Sequence, residues 1–156
     1  MNAPSRLLPL AGFIALSFLA AVLGGWATAR SVGAWYPTLV KPAWNPPAWL
    51  FGPVWSVLYL MMGIAAWRVW EKAGWGGALA LFCAQLALNA LWSVCFFGLR
   101  NPLAGLVEIA FLWLTVAATL AVFMRVDRLA GALFIPYLLW VSFATLLNFT
   151  LWRLNR

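Results

Sequence analysis

The chain has no histidine and only three acidic residues among its 156 positions. Without histidine, the usual general base, the commonest metal ligand and most nucleophilic triads are gone. The three acids fall on different connections or helices, so no carboxylate dyad can be assembled from sequence neighbours. The two cysteines are too few for a zinc site. Cys83 and Cys95 share one apolar run and would stand about 18 Å apart along a helix, too far for a disulfide. They read as small packing residues. Charge of either sign is scarce: 8% of residues are charged, against roughly 25% in an average soluble domain. The net charge of +7 comes from ten basic residues scattered without a block. A soluble enzyme, a disordered tail and a nucleic-acid binder all fit poorly, and no metal or nucleic-acid partner is expected.

What the chain has in quantity is apolar surface. Hydrophobic residues make up 66% of a 17.2 kDa chain, more than a small soluble domain could hide. Five apolar runs, residues 7–29, 50–70, 77–97, 103–124 and 129–152, are bounded by charges, proline or glycine. Each exceeds the about 20 residues that a membrane-spanning helix needs. Barrel strands are shorter and alternate in polarity. The expectation is an all-α integral, multi-pass membrane protein, a five-transmembrane-helix bundle forming one domain over residues 1–156. The first run has a rival reading as a signal peptide, since Arg6 precedes it and Ala27, Thr28 and Ala29 resemble a cleavage site. Its length favours a retained helix.

Three connections are short and make sequence neighbours antiparallel. The fourth, residues 30–49, is long and carries Trp35, Tyr36, Trp44 and Trp49 with Pro37, Pro42, Pro46 and Pro47. That composition predicts an ordered, stiff lid, extended where prolines disfavour helix in the preceding residue. On the side of this loop, three helical stripes fall at one depth. Gln85, Asn89, Trp92 and Phe96 form one. Trp140, Ala144, Leu147 and Asn148 form another, and Trp55, Tyr59 and Met62 the third. Together with Trp44 and Trp49 they outline an aromatic pocket with a few amides, expected to bind a ligand.

Twelve tryptophans need more than one explanation. Trp26, Trp67, Trp70, Trp75 and Trp152 sit at helix ends and read as an interfacial belt. Trp92, Trp113 and Trp140 lie deeper, where core packing competes with a ligand role. Gln85, Asn89 and Asn148 are either ligand contacts or hydrogen-bonding glue between helices. Glu108 is the one acid well inside a run, about 8 Å below the loop-side boundary, where a functional role is the default. A structural salt bridge to Arg30, Lys41 or Arg100 is the plainer expectation. Topology cannot be read from charge, because five basic residues fall on each side.

Trp35-Tyr36, then Lys41-Pro42-Ala43-Trp44-Asn45-Pro46-Pro47, then Gly52-Pro53-Val54-Trp55 and Leu58-Tyr59 resemble the signature of the TspO/MBR family. This family holds the tryptophan-rich sensory proteins of bacteria and the mitochondrial translocator protein. Gln85 to Asn89 with Trp92 and Phe96-Phe97-Gly98 extend the resemblance, as do Pro136 to Trp140, Phe143 to Asn148 and Trp152-Arg153, in order along nearly the whole chain. It implies a homodimeric five-helix bundle in the lipid bilayer, with the long loop and C-terminus in the cytosol. It also implies a pocket for porphyrins, sterols and isoquinoline or benzodiazepine ligands, with no required cofactor. Carried over by position, Trp55, Asn89, Trp92, Trp140, Ala144 and Leu147 would line that pocket. Some members degrade protoporphyrin in light, and the matching tryptophans, Trp55 and Trp140, would carry a photochemical role. Two positions depart from the pattern. Phe149 replaces a tyrosine of the sterol motif, which weakens the case for sterol, and Ala104 replaces a ligand-facing tryptophan. Three functions compete: a tetrapyrrole receptor or sensor, an exporter of such ligands, and a light-dependent degrading enzyme. The absence of internal repeats weighs against export.

Overall fold

The computed structural model describes residues 3–156, with side chains from Leu7 onward. Five helices follow in order: α1 Ala3–Ala29, α2 Ala48–Ala73, α3 Gly77–Ser93, α4 Pro102–Val126 and α5 Arg128–Leu154. α3 continues into a π turn, Val94–Gly98, and there is no strand among the described residues. Five helices are long and apolar enough to cross a membrane. The chain is an all-α, multi-pass membrane protein, as its apolar runs predict.

Local chemistry sets the boundaries. Pro102 opens α4, where its missing N–H costs nothing, and Asn101 caps it by accepting from the amides of Leu103 and Ala104. Asp127, in an extended conformation, ends α4 and caps α5 through the amide of Ala130 at 2.8 Å. One residue thus turns the chain between two antiparallel helices. That turn needs Gly131, since a Cβ there would come within 2.7 Å of the Met124 backbone. α5 packs most extensively on α4, and α1 on α2. The end of the bundle away from the long loop is pinned by charge: Arg68 and Lys72 of α2 reach Asp127 at 2.8 and 2.7 Å. These two cations and the capping amide hold the Asp127 carboxyl well below the usual carboxylate range.

At the other end, the 30–49 loop folds onto the helix ends. A short 3-10 turn, Tyr36–Thr38, sets Trp35 and Tyr36 against Phe96, at ring separations of 5.6 and 6.4 Å. The Tyr36 hydroxyl donates to Asn45 Oδ1 at 3.0 Å, and burial pushes the Tyr36 phenol up. Lys41 Nζ donates to the carbonyls of Pro37 and Leu39. Asn155 clasps the Val40 backbone from both sides, accepting from its N–H at 2.8 Å and donating to its carbonyl at 2.9 Å. The C-terminus of α5 therefore holds the loop down.

Candidate functional site

Most of the predicted site residues gather in the loop-side half of the bundle, in three clusters. In the first, the Tyr59 hydroxyl donates to Asn89 Oδ1. Asn89 Nδ2 donates in turn to the Tyr137 hydroxyl oxygen at 3.0 Å. This relay ties α2 to α3 and α3 to α5. Trp55 stacks on Tyr59 at 5.4 Å and meets Tyr137 edge-on at 6.1 Å.

The second cluster joins α3, α4 and α5. Trp92 Nε1 donates to Asn148 Oδ1 at 3.1 Å, and Asn148 Nδ2 donates to the Pro102 carbonyl at 2.7 Å. Trp92 stacks on Phe96 at 5.3 Å. Phe96 is buried with Leu147 and Leu151 under Trp35 and Tyr36. Close packing here depends on Gly105, where a Cβ would stand 2.9 Å from the Phe96 ring and 3.0 Å from Asn148 Oδ1.

The third cluster is the open one. Trp140 contacts Phe51 and Phe143, with ring centroids 5.9 and 5.6 Å away, and Trp44 of the loop meets Phe143 at 5.9 Å. Trp140 and Phe143 line an apolar groove of about 570 Å³ between α2 and α5, with Pro53, Val57, Met61 and Pro136. Each helix contributes one proline to its wall.

Of the ten predicted ligand residues, only Trp140 lines this groove. Trp44 closes on it through Phe143. Ala144, half-buried, follows Trp140 by one turn on α5. Trp49 stands apart at the start of α2, 71% exposed. Asn89 and Asn148 are buried, and both amides are engaged with other helices. In this structure they serve as the interhelical glue that was one of their two readings, while Gln85 reaches only Met62 Sδ, at 3.6 Å. Sequence reasoning missed Tyr137, Phe51, Val57, Met61 and Phe143. Tyr137 and Phe143 were present in the motifs. The aliphatic groove residues carry no signal, because lipid-facing residues are of the same types.

Glu108 corrects an expectation. It is buried, yet it makes no salt bridge, and neither carboxyl oxygen has a hydrogen-bond partner among the described residues. The three cations named for it are engaged elsewhere. Arg30 lies over the Trp26 ring at 4.0 Å, Lys41 binds loop carbonyls, and Arg100 Nε donates to Ser31 Oγ at 3.3 Å. All three stay near the membrane boundary. Reaching Glu108 would draw a hydrated cation into the apolar interior, a cost that one ion pair offsets poorly.

Comparison with known proteins completes the description. The TspO/MBR family matches residues 13–153. The tryptophan-rich protein TspO of Chlorobaculum tepidum is 46% identical over 154 residues, covering 96% of this chain and 98% of that protein. The tryptophan-rich sensory protein of Cereibacter sphaeroides is 47% identical, with 90% of each chain covered. The translocator protein of Sus scrofa is 37% identical, covering 96% of this chain and 91% of that protein.

Proposed function

The chain belongs to the TspO/MBR family, and on that premise we propose that it is a membrane receptor for flat tetrapyrroles of the porphyrin type. The observation that carries the reading is the groove between α2 and α5, with Trp140 and Phe143 in its wall and Trp44 of the braced loop at its end. Its volume, about 570 Å³, falls within the range of small-molecule sites. An apolar, aromatic wall suits a flat macrocycle, each ring contact adding about 0.5–1.5 kcal/mol beyond burial. Arg30 and Lys41 stand on the loop side, where the propionates of a porphyrin would emerge. The protein would act as a homodimer, joined through the outward face of α3.

The test is titration of the purified protein with protoporphyrin in darkness, followed by quenching of tryptophan fluorescence. Leu139 also lines the groove; Leu139→Trp narrows it from the outer wall, and Ala144→Phe fills the inner side of α5 one turn past Trp140. Loss of affinity of tenfold or more in Leu139→Trp supports the groove. Loss in Ala144→Phe alone moves the ligand inward among Trp92, Leu147 and Asn148. Undiminished binding in both folded variants rejects the site. A second reading, light-driven porphyrin breakdown, is favoured by one feature: the indole of Trp140 lies in the groove wall, within contact distance of whatever occupies it. Isoquinoline, benzodiazepine and sterol ligands serve as competitors in the same titration.

A further inference from the structure

Glu108 is a buried carboxyl with a partner for neither oxygen, beside Asn89, Asn148, Tyr59 and Tyr137, whose polar groups are engaged with one another or with neighbouring helices. It is 6% exposed, and both of its oxygens are closed off. Its place in the bundle follows from its neighbours. The buried stripe of α4 runs through Gly105, Glu108, Ile109 and Leu112, and Gly105 lies against Phe96 and Asn148. One turn deeper, that stripe reaches Glu108. One turn deeper from Phe96 and Asn148 stand Trp92 and Ala144. Glu108 therefore shares a level with two predicted ligand residues. No cation reaches it among the described residues. An isolated carboxylate in such a place is far costlier than a neutral acid, and the neutral acid has one O–H to donate. An unanswered polar group there weakens the fold, and packing alone would be served better by leucine.

We propose that Glu108 is the polar anchor of the ligand site, donating its carboxylic O–H to the unshared pair of a ring nitrogen in a flat heteroaromatic ligand. Trp92 supplies a ring face on the same level, and Ala144 leaves room on α5. A free-base tetrapyrrole carries such nitrogens in its core, so the inference deepens the reading above and rests on it, with the ligand reaching inward from the groove past Ala144. No bond other than a hydrogen bond forms. Since the oxygens are closed off, a ligand enters only as the packing above them yields, and association is slower than diffusion allows.

The experiment uses the whole protein in lipid nanodiscs and a matched pair of probes, acridine and anthracene. They share one three-ring shape and differ by a single ring nitrogen. Binding is corrected for partition into protein-free nanodiscs, and acridine emission reports a hydrogen bond to its nitrogen. The wild type is expected to prefer acridine about fivefold or more, with shifted emission. Glu108→Gln, whose amide N–H still donates, is expected to keep most of the preference. Glu108→Leu, apolar and well suited to the interior, is expected to abolish both preference and shift while retaining its helical spectrum. Equal binding of the two probes by the wild type, an undiminished preference in Glu108→Leu, or no binding above the lipid background overturns the anchor. Protoporphyrin titrated in parallel separates the two readings. If it fails to bind while the acridine preference holds, the tetrapyrrole reading falls and Glu108 stands. If it binds while the preference is absent, the reverse is true.

Discussion

Single residues carry out-of-scale tasks in this bundle, and Asp127 carries three. It ends one helix, caps the next and gathers Arg68 and Lys72. Its carboxyl titrates below the ordinary range when folded. The stability it supplies is therefore present in full above the unfolded value, near pH 4, and is lost as pH falls through and below that value. Asp127→Ala is expected to cost about 3 kcal/mol at neutral pH, because it strands two cations and removes the cap. Asp127→Asn keeps the cap and should cost less. Denaturant unfolding in detergent across pH checks this: the gap between wild type and Asp127→Asn should shrink as the pH drops below 4. The two tryptophans given a photochemical role can be separated at the same scale. Trp140 lines the groove, whereas Trp55 stacks on Tyr59. Trp140→Phe should retain porphyrin binding within about tenfold, or 1.4 kcal/mol, while lowering the light-driven loss of bound porphyrin. Trp55→Phe should lower it less. Equal rates per bound porphyrin in both variants would leave a binding role alone.

Among the elements, the 30–49 loop is the one that would decide how a ligand is kept. Its own bonds, Tyr36 to Asn45 and Lys41 to Pro37 and Leu39, make it stiff, and it is tied to the bundle by Asn155 at Val40 and Arg100 at Ser31, with Trp35 and Tyr36 packed on Phe96. Asn155→Ala removes both bonds to Val40. Amide exchange at Val40 should rise about tenfold, and a bound ligand should leave faster while entering at much the same rate. Replacing Pro46 and Pro47 by glycine should act in the same direction by loosening the loop itself. An unchanged off-rate in both would remove its role as a lid. The helices and this loop were legible because length and apolarity alone identify a membrane span, and four prolines with four aromatics in one connection resist disorder. The π turn at Val94–Gly98 was not legible, since its residues, Val, Cys, Phe, Phe and Gly, suit a straight helix equally well. The site was half legible. Polar and aromatic stripes at one depth found Asn89, Trp92 and Asn148, but which side chains answer each other depends on how the helices are rotated. The apolar half of the groove, Val57, Met61 and Leu139, gives no sign that separates a ligand from lipid.

At the scale of the whole molecule, α3 has one face in the core and one left open. Its inner face is committed to the core through Leu79, Phe82, Gln85, Leu86 and Asn89. Its outer face runs through Ala80, Cys83, Ala84, Ala87 and Leu91, all exposed. Between lipid-facing helices the hydrophobic effect supplies no attraction, so association depends on how closely backbones approach, and small residues set that distance. Alanines one turn apart over two turns permit such an approach, and two copies with the same orientation would meet there about a two-fold axis along the membrane normal. Residues at equal depth would then face each other, Cys83 against its twin. In a Cys95→Ala background, a short thiol-to-thiol crosslinker applied to intact membranes should therefore give a dimer through Cys83. Adding Ala80→Leu and Ala84→Leu thickens the contact without touching the core. The crosslink should then fall by about tenfold, although Cys83 is still present and the helical spectrum is unchanged. A crosslink that survives both leucines would put the dimer on another face, and none in either chain would make the protein a monomer in its membrane.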